Sequence, residues 1–340
     1  MDSISELSRA TCPFELQVIR VPSRMKIPIV CPVCCAESDG SRKFPYKAGG
    51  RSLALGQEII LCRACGGGFL SPGFSESQIK SLYEQGDFWG RYAQPDGLRE
   101  LACPFVMAEA RWEYLRSVVT DIEQRPLRVL DVGAGHGLFG LSGVLYNSNA
   151  ISEYVAVDSD ARLRQTIRTL WDKHVTGVPL RVLASTDFLE KGDRFDLIVL
   201  SHVLEHIPEP VQFLEHLTSF ARGGALLFVE TPFQDNKYKE DVFGHVLFLG
   251  PDHLQRILAR TRWRSLSTGC FGRSKELTPM NLSSPVVFLR IIERIVGKLK
   301  RYLPLRFLMV FYDWYFGIRH RNSDGTWIRQ VAIFEGVNRP

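Results

Sequence analysis

The run LRVLDVGAGHGLF at residues 127–139 limits what this chain can fold into more than any other stretch. A short apolar segment ends on Asp131, glycines follow at Gly133, Gly135 and Gly137, and the chain then takes up helical spacing. That order of residues builds a buried strand that enters a helix through a glycine loop, and glycine there lets the backbone approach a ligand with no Cβ in the way. A second apolar strand, YVAVD, ends on Asp158, about 20 residues past the loop. The unit predicts a nucleotide-type site in which Asp158 accepts both ribose hydroxyls. A dinucleotide loop would show GxGxxG, but Leu138 stands where that pattern is broken, and the spacing is DxGxGxG.

Further segments follow in a fixed order. TDF at 186–188 has an acid, Asp187, beside an aromatic residue, Phe188. FDLIVLSHVLEHIP at 195–208 is a buried strand that runs out at Ser201 and His202, and GGALLFVETP at 223–232 is another. Taken with the glycine loop, this series over roughly 127–270 resembles the class I S-adenosylmethionine-dependent methyltransferases. The resemblance implies an α/β, Rossmann-like seven-stranded sheet with S-adenosylmethionine as cofactor. It implies Asp131, Gly133, Gly135, Gly137, Asp158 and Ser201 around the cofactor, with Asp187 meeting the adenine amino group and Phe188 packing on the ring.

The eight cysteines include two CxxC pairs, Cys31/Cys34 and Cys62/Cys65, with 27 residues between them. Two such turns facing each other make the four-sulfur tetrahedron that structural zinc prefers, and four thiolates leave no open position for catalysis. A small N-terminal zinc ribbon is the expectation, with Cys35 leaving one ligand choice ambiguous. Redox-active dithiols are the alternative. The N-terminus, MDSISELSRA, carries an early acid and no apolar core, which argues against a signal peptide. A reducing cytoplasmic setting and metal-bound rather than disulfide-bonded cysteines are expected.

Basic residues exceed acidic ones only modestly, 42 to 37, too little to argue for nucleic acid, and no DNA partner is expected. The excess is concentrated late. From Ser284 to Asn322 there are eight basic residues against Glu293 and Asp313, a local excess of six. Leu289, Ile292, Val296 and Leu299 repeat at helical spacing, with Arg290, Arg294, Lys298 and Arg301 off that stripe. A late helical insertion at about 273–324 is expected between the last two strands, Trp263–Phe271 and Trp327–Phe334, divided by Gly297 and Pro304. Packing over the acceptor pocket is one role for it. Peripheral contact of 285–321 with a membrane or an anionic substrate is the other.

The expected organisation is a zinc-binding ribbon at 1–75, a helical linker or lid at 76–125, with one helix after Ser75 and another at Ala102–Ile122, and the catalytic domain at 126–340. The double CxxC, the ETP loop and a later HxxxLxPxxL element from His245 to Leu254 resemble bacterial methyltransferases of sugar, surface-polysaccharide and natural-product biosynthesis. A small-molecule, sugar-type acceptor follows from that resemblance, methylated at carbon or oxygen. Methyl transfer to a hydroxyl or carbon acid needs a proton acceptor. His245, in the loop after Glu230, is the first candidate and His202 the second. His206 and His136 read as packing or solvent-facing residues, and Tyr238 is a fallback base. The competing enzymatic reading is an RNA methyltransferase with an N-terminal zinc site, against which SHVLEH stands in place of an NPPY-type motif. A degenerate cofactor sensor or scaffold is the non-enzymatic one.

Overall fold

The structure is a computed structural model, and it describes residues 29–38, 42–49, 51, 54–75, 77–78, 95, 97–122, 124–146, 150–281 and 286–336. Of the helix expected after Ser75 only Ser77 and Gln78 are described, both helical, with Gln78 N–H donating to Ser75 Oγ; the rest of it, and the aromatic loop up to residue 94, lie outside the described residues.

Among the described residues the first elements are five short strands, β1 (Ile29–Val30), β2 (Glu37–Ser38), β3 (Lys43–Pro45), β4 (Glu58–Leu61) and β5 (Gly68–Ser71). Helix α1 (Ala102–Val118) comes next. Strands and helices then alternate as β6 (Leu127–Val132), α2 (Leu138–Tyr146), β7 (Ile151–Val157), α3 (Ala161–His174), β8 (Leu180–Leu183) and β9 (Phe195–Ser201). They continue through α4 (Pro210–Leu217), β10 (Ala221–Pro232), β11 (Leu247–Phe248), α5 (Pro251–Leu258) and β12 (Trp263–Phe271). Two helices, α6 (Val287–Leu299) and α7 (Leu305–Phe316), precede β13 (Trp327–Phe334).

The main sheet has seven strands in the order β12-β13-β10-β9-β6-β7-β8. All neighbours are parallel except β13, which runs antiparallel between β10 and β12. The chain winds outward from β6 through β7 to β8, then returns to the other side of β6 for β9 and β10. A topological switch point therefore lies between β6 and β9, where a doubly wound sheet opens a crevice at the carboxyl ends of its strands. The central strands are apolar almost throughout because both faces are covered. Leu197 and Val199 of β9 face a core shared with Trp112, Phe139 and Trp171, while Ile198 and Leu200 face one shared with Leu214, Phe248 and Ile257.

Helix α1 packs between α2 and α7. Trp112 stacks on Phe139 at 4.6 Å between ring centroids and donates its indole N–H to the Phe139 carbonyl. The insertion leaves the sheet at the carboxyl end of β12, the same end as the crevice, as the sequence led one to expect. Its division differs in one respect. Pro304 separates the two helices, but Gly297 lies inside α6; a single helical glycine costs only about 1 kcal/mol, which packing of Val296 offsets.

The N-terminal strands β3, β4 and β5 form a sheet with β11, which follows β10 in the chain. Val33, Phe69 and Phe74 belong to the same core as Leu200 and Leu254. No helix among the described residues is long and apolar enough to cross a membrane.

Candidate active site and metal cluster

The glycine loop sits at the carboxyl end of β6. Gly133, Gly135 and Gly137 all adopt positive φ, +69°, +57° and +69°, a region that L side chains enter only with strain. At Gly133 a Cβ would lie 2.5 Å from a Val203 methyl, so the loop requires glycine both for its conformation and for its contact with the β9 side of the crevice. The backbone N–H of Gly135 donates to Oδ2 of Asp158 at 2.9 Å, and Asp160 N–H donates to Oδ1 at the same distance. The second strand's acid is thus held against the loop. Burial pushes its carboxyl up to about 6 in spite of those two bonds.

Asp131 lies beneath the loop. Tyr154 donates its hydroxyl to Oδ2 at 2.5 Å, whereas Oδ1 is buried with no hydrogen bond among the described residues. Burial raises this carboxyl to about 7. Ser201 Oγ, at the end of β9, is likewise buried without a hydrogen-bond partner. Asp187 and Phe188 form a single 3₁₀ turn after β8; Ser185 donates to the Asp187 carboxylate at 2.8 Å, and the Phe188 ring is 64% exposed. The residues expected around the cofactor therefore cluster at the carboxyl ends of β6 to β9. Orphaned polar atoms, a glycine cradle and an exposed aromatic face fit a nucleoside ligand.

The acceptor-side candidates fall on the other flank. His202 is held in the left-handed region, φ +57°, by its N–H bond to the Glu230 carbonyl. Its Nδ1 is 3.2 Å from Glu205 Oε1 and its Nε2 3.3 Å from Glu230 Oε1. Burial lowers its pKa, but the two carboxylates outweigh burial and hold the ring above its ordinary value. Both nitrogens face carboxylates, an arrangement that favours an imidazolium. His245 turns Nδ1 to Asp235 Oδ2 at 2.9 Å and packs edge-on against His206, 4.8 Å between centroids. Tyr238 is buried and donates its hydroxyl to the Thr326 carbonyl.

Sequence reasoning missed the cations beneath this flank. Nε and Nη2 of Arg111, from α1, donate to Glu230 Oε1, and Arg329 Nε of β13 donates to Oε2 at 2.7 Å. Burial raises the Glu230 carboxyl, yet the two guanidiniums hold it well below the usual range. Neither arginine is marked by a local motif: Arg111 shares α1 with Glu109, Glu113 and Arg116, and only Arg329, in a β13 that is apolar apart from it and Gln330, gives a signal.

The four cysteines converge as expected. Cys31 Sγ lies 3.8 Å from Cys65 Sγ, and Cys34 Sγ lies 3.6 Å from Cys62 Sγ. Sulfurs at the corners of a tetrahedron about 2.3 Å from zinc are about 3.8 Å apart, so the spacing fits that ion. Each turn closes with a bond from the residue after the CxxC to its first cysteine, Cys35 N–H to Cys31 and Gly66 N–H to Cys62. The ambiguity over Cys35 is removed, because its sulfur is exposed and accepts from Arg260 Nη2. Helix α5 also clamps the second turn: Gly250 N–H donates to His253 Nδ1, and Nε2 of that ring donates to the Cys65 carbonyl at 2.9 Å.

Comparison with known proteins is consistent with this geometry. Residues 107–267 match the family model described as a methyltransferase domain. The ubiquinone biosynthesis O-methyltransferase of Parvibaculum lavamentivorans is 30% identical over 105 residues, 31% of this chain and 40% of that protein. Its counterpart in a Ruegeria species is 24% identical over 156 residues, 46% of this chain and 62% of that one. The chain thus spans 40–62% of the length of these two relatives. Magnesium protoporphyrin IX methyltransferase from Synechocystis PCC 6803, solved with SAH, is 13% identical, with a TM-score of 0.44, covering 74% of this chain and 95% of that one. The mostly parallel seven-stranded sheet is what the motif series led one to expect.

Proposed function

We propose that this chain transfers a methyl group from S-adenosylmethionine to a small-molecule acceptor. The observation that carries the reading is the crevice between β6 and β9, where three left-handed glycines, the Asp158 carboxylate and the orphaned Ser201 hydroxyl converge. When bound there, S-adenosylmethionine supplies a methyl on a sulfonium. The glycine loop gives it close backbone approach, Asp158 accepts from the ribose hydroxyls, and Asp187 with the open face of Phe188 takes the adenine.

On the acceptor side His245, with its Nδ1 2.9 Å from Asp235 Oδ2, orients or deprotonates the acceptor. His202, wedged between Glu205 and Glu230, positions this flank and supplies fixed positive charge. The four-cysteine cluster, Cys31, Cys34, Cys62 and Cys65, holds a structural zinc.

A sugar, nucleotide sugar or polysaccharide precursor is the acceptor class we favour, on the resemblance of the CxxC pairs and the His245–Leu254 element. The relatives named for O-methylation in ubiquinone biosynthesis support a small molecule and an oxygen acceptor. The insertion supports a lipid-linked form of it. Phe288, Ile291, Ile295, Phe307, Val310 and Trp314 are all exposed on α6 and α7, beside the exposed bases Arg294, Lys298, Arg301 and Arg306. An apolar stripe flanked by cations suits the surface of an anionic membrane.

Calorimetry with S-adenosylmethionine, followed by transfer of labelled methyl to a panel of nucleotide sugars, lipid-linked sugars, quinol precursors and ribosomal RNA, tests the reading. Uptake by a sugar or lipid-linked sugar supports it; uptake by RNA alone, or no cofactor binding, overturns it.

A further inference from the structure

Glu205, His206 and His245 come from two separate segments, a 3₁₀ turn after β9 and the loop after β10. One ligand-competent atom from each lies within 4.8 Å of the other two. Glu205 and His206 are oriented by further groups in the way metal ligands usually are, and His245 has a carboxylate beside it. His206 Nδ1 is 2.9 Å from the Gly244 carbonyl; a carbonyl only accepts, so that nitrogen carries the proton and Nε2 carries the lone pair. His245 Nδ1 lies 2.9 Å from Asp235 Oδ2 without a hydrogen bond of regular geometry between them, so a small ring rotation would be needed to complete the carboxylate–histidine arrangement that fixes a ligating ring through its other nitrogen. Glu205 receives the Thr231 hydroxyl on Oε2 and faces His202 through Oε1.

We propose that Glu205, His206 and His245 form a second metal site, distinct from the four-cysteine cluster, that takes a first-row divalent cation of borderline softness such as zinc, iron or cobalt. Two imidazoles and one carboxylate are a donor set for these ions rather than for magnesium or calcium. Tetrahedral ligands about 2.1 Å from a metal are about 3.4 Å apart, so side-chain rotation of roughly an ångström closes the observed spread.

Three protein ligands leave a coordination position open, as catalytic sites do and the four-cysteine cluster does not. The site lies just past Ser201, at the carboxyl end of β9. Resting on the methyl-transfer reading, the open position would hold an acceptor oxygen and lower the pKa of its hydroxyl, so that His245 as a ligand would orient the acceptor through the metal instead of accepting its proton. Cation binding itself does not depend on that reading.

Metal analysis of the purified full chain, with cobalt titrated into the same protein, tests the proposal. Two equivalents of metal per chain are expected, either as purified or after cobalt addition. His245→Gln should remove one equivalent and Cys62→Ser the other. Cobalt held by nitrogen and oxygen should give weak visible bands without the strong sulfur-to-cobalt absorption that the cysteine cluster produces. Asp235→Asn, which leaves all three ligands in place, should weaken cobalt binding 10- to 100-fold and covers the case in which His245→Gln fails to fold. A single equivalent in the wild type that cobalt does not raise, or a second equivalent retained by both His245→Gln and Asp235→Asn, would overturn it. Binding of S-adenosylmethionine, measured on the same samples, separates this outcome from failure of the methyl-transfer reading.

Discussion

Arg111 of α1 donates two hydrogen bonds, at 2.9 and 2.6 Å, to the same carboxylate oxygen of Glu230, although 119 positions separate the two residues. The pair ties the helix that precedes the sheet to the carboxyl end of β10. Removing one partner from a buried ion pair leaves uncompensated charge at a cost of about 3–5 kcal/mol. Glu230→Gln strands both Arg111 and Arg329 and is expected to lower unfolding free energy by that amount in urea denaturation. A loss below about 1 kcal/mol would show that water or rearrangement relieves the two guanidiniums.

Asp158 is expected to carry much of the affinity for S-adenosylmethionine. A hydrogen bond to a charged group contributes about 1.5–3 kcal/mol, so Asp158→Ala should weaken binding by roughly 10- to 150-fold. Unchanged affinity by calorimetry would remove Asp158 from the ribose site.

Two raised carboxyls make stability fall with pH in a defined window. Asp131 and Asp158 are held near 7 and 6, above their unfolded values near 4. The stability they contribute is fully present below pH 4 and is lost as pH rises through 6 and 7. For Asp131 the loss between pH 6.5 and 8 is about 1 kcal/mol. Asp131→Asn keeps an acceptor for Tyr154 and should flatten that part of the profile. The check is urea denaturation of ligand-free protein at both pH values; identical slopes for wild type and variant would mean Asp131 titrates normally.

Cys62→Ser should cost one metal equivalent and destabilise the N-terminal strands while leaving affinity for S-adenosylmethionine nearly unchanged. Elemental analysis combined with calorimetry reads both. A variant that keeps its full metal content would place the ion elsewhere.

The apolar stripe of α6 and α7 predicts salt-sensitive flotation with vesicles containing phosphatidylglycerol and little with phosphatidylcholine alone. Basic side chains near an anionic surface contribute about 1 kcal/mol each. Changing Arg294 and Lys298 to glutamate should abolish flotation with the anionic vesicles. If neither vesicle floats the wild type, or if light scattering shows a dimer that covers the stripe, a membrane is not its partner.

The glycine loop, the strand ends and the CxxC turns were legible in the sequence because each is a local pattern whose chemistry lies within a few residues. The bounds expected for the last two strands, Trp263–Phe271 and Trp327–Phe334, match β12 and β13. Helix α6 shows where that ends. Its inward stripe, Leu289, Ile292 and Val296, was visible, but Leu299 proved exposed, and the outward stripe of Phe288, Ile291 and Ile295 was hidden within an apolar helix that offers two faces. The Arg111–Glu230–Arg329 group and the His253 clamp were not legible at all. Their partners are brought together only by sheet order and helix packing, and nothing near any one of them in sequence indicates the other. The same holds for His206, whose role depends on a loop nearly forty residues away.

Strand β11 has a consequence for how this protein could be altered. Leu247 and Phe248 pair with Phe69 and Gly68, two residues past His245 on one side and three before α5 on the other. The loop that carries His245 therefore runs directly into a strand of the ribbon's own sheet, and α5 grips the second cysteine turn. A chimera that exchanged residues 29–75 for another ribbon would have to bring its own version of 241–260 as well. The two stretches are one unit of inheritance, even though more than 160 residues of chain lie between them.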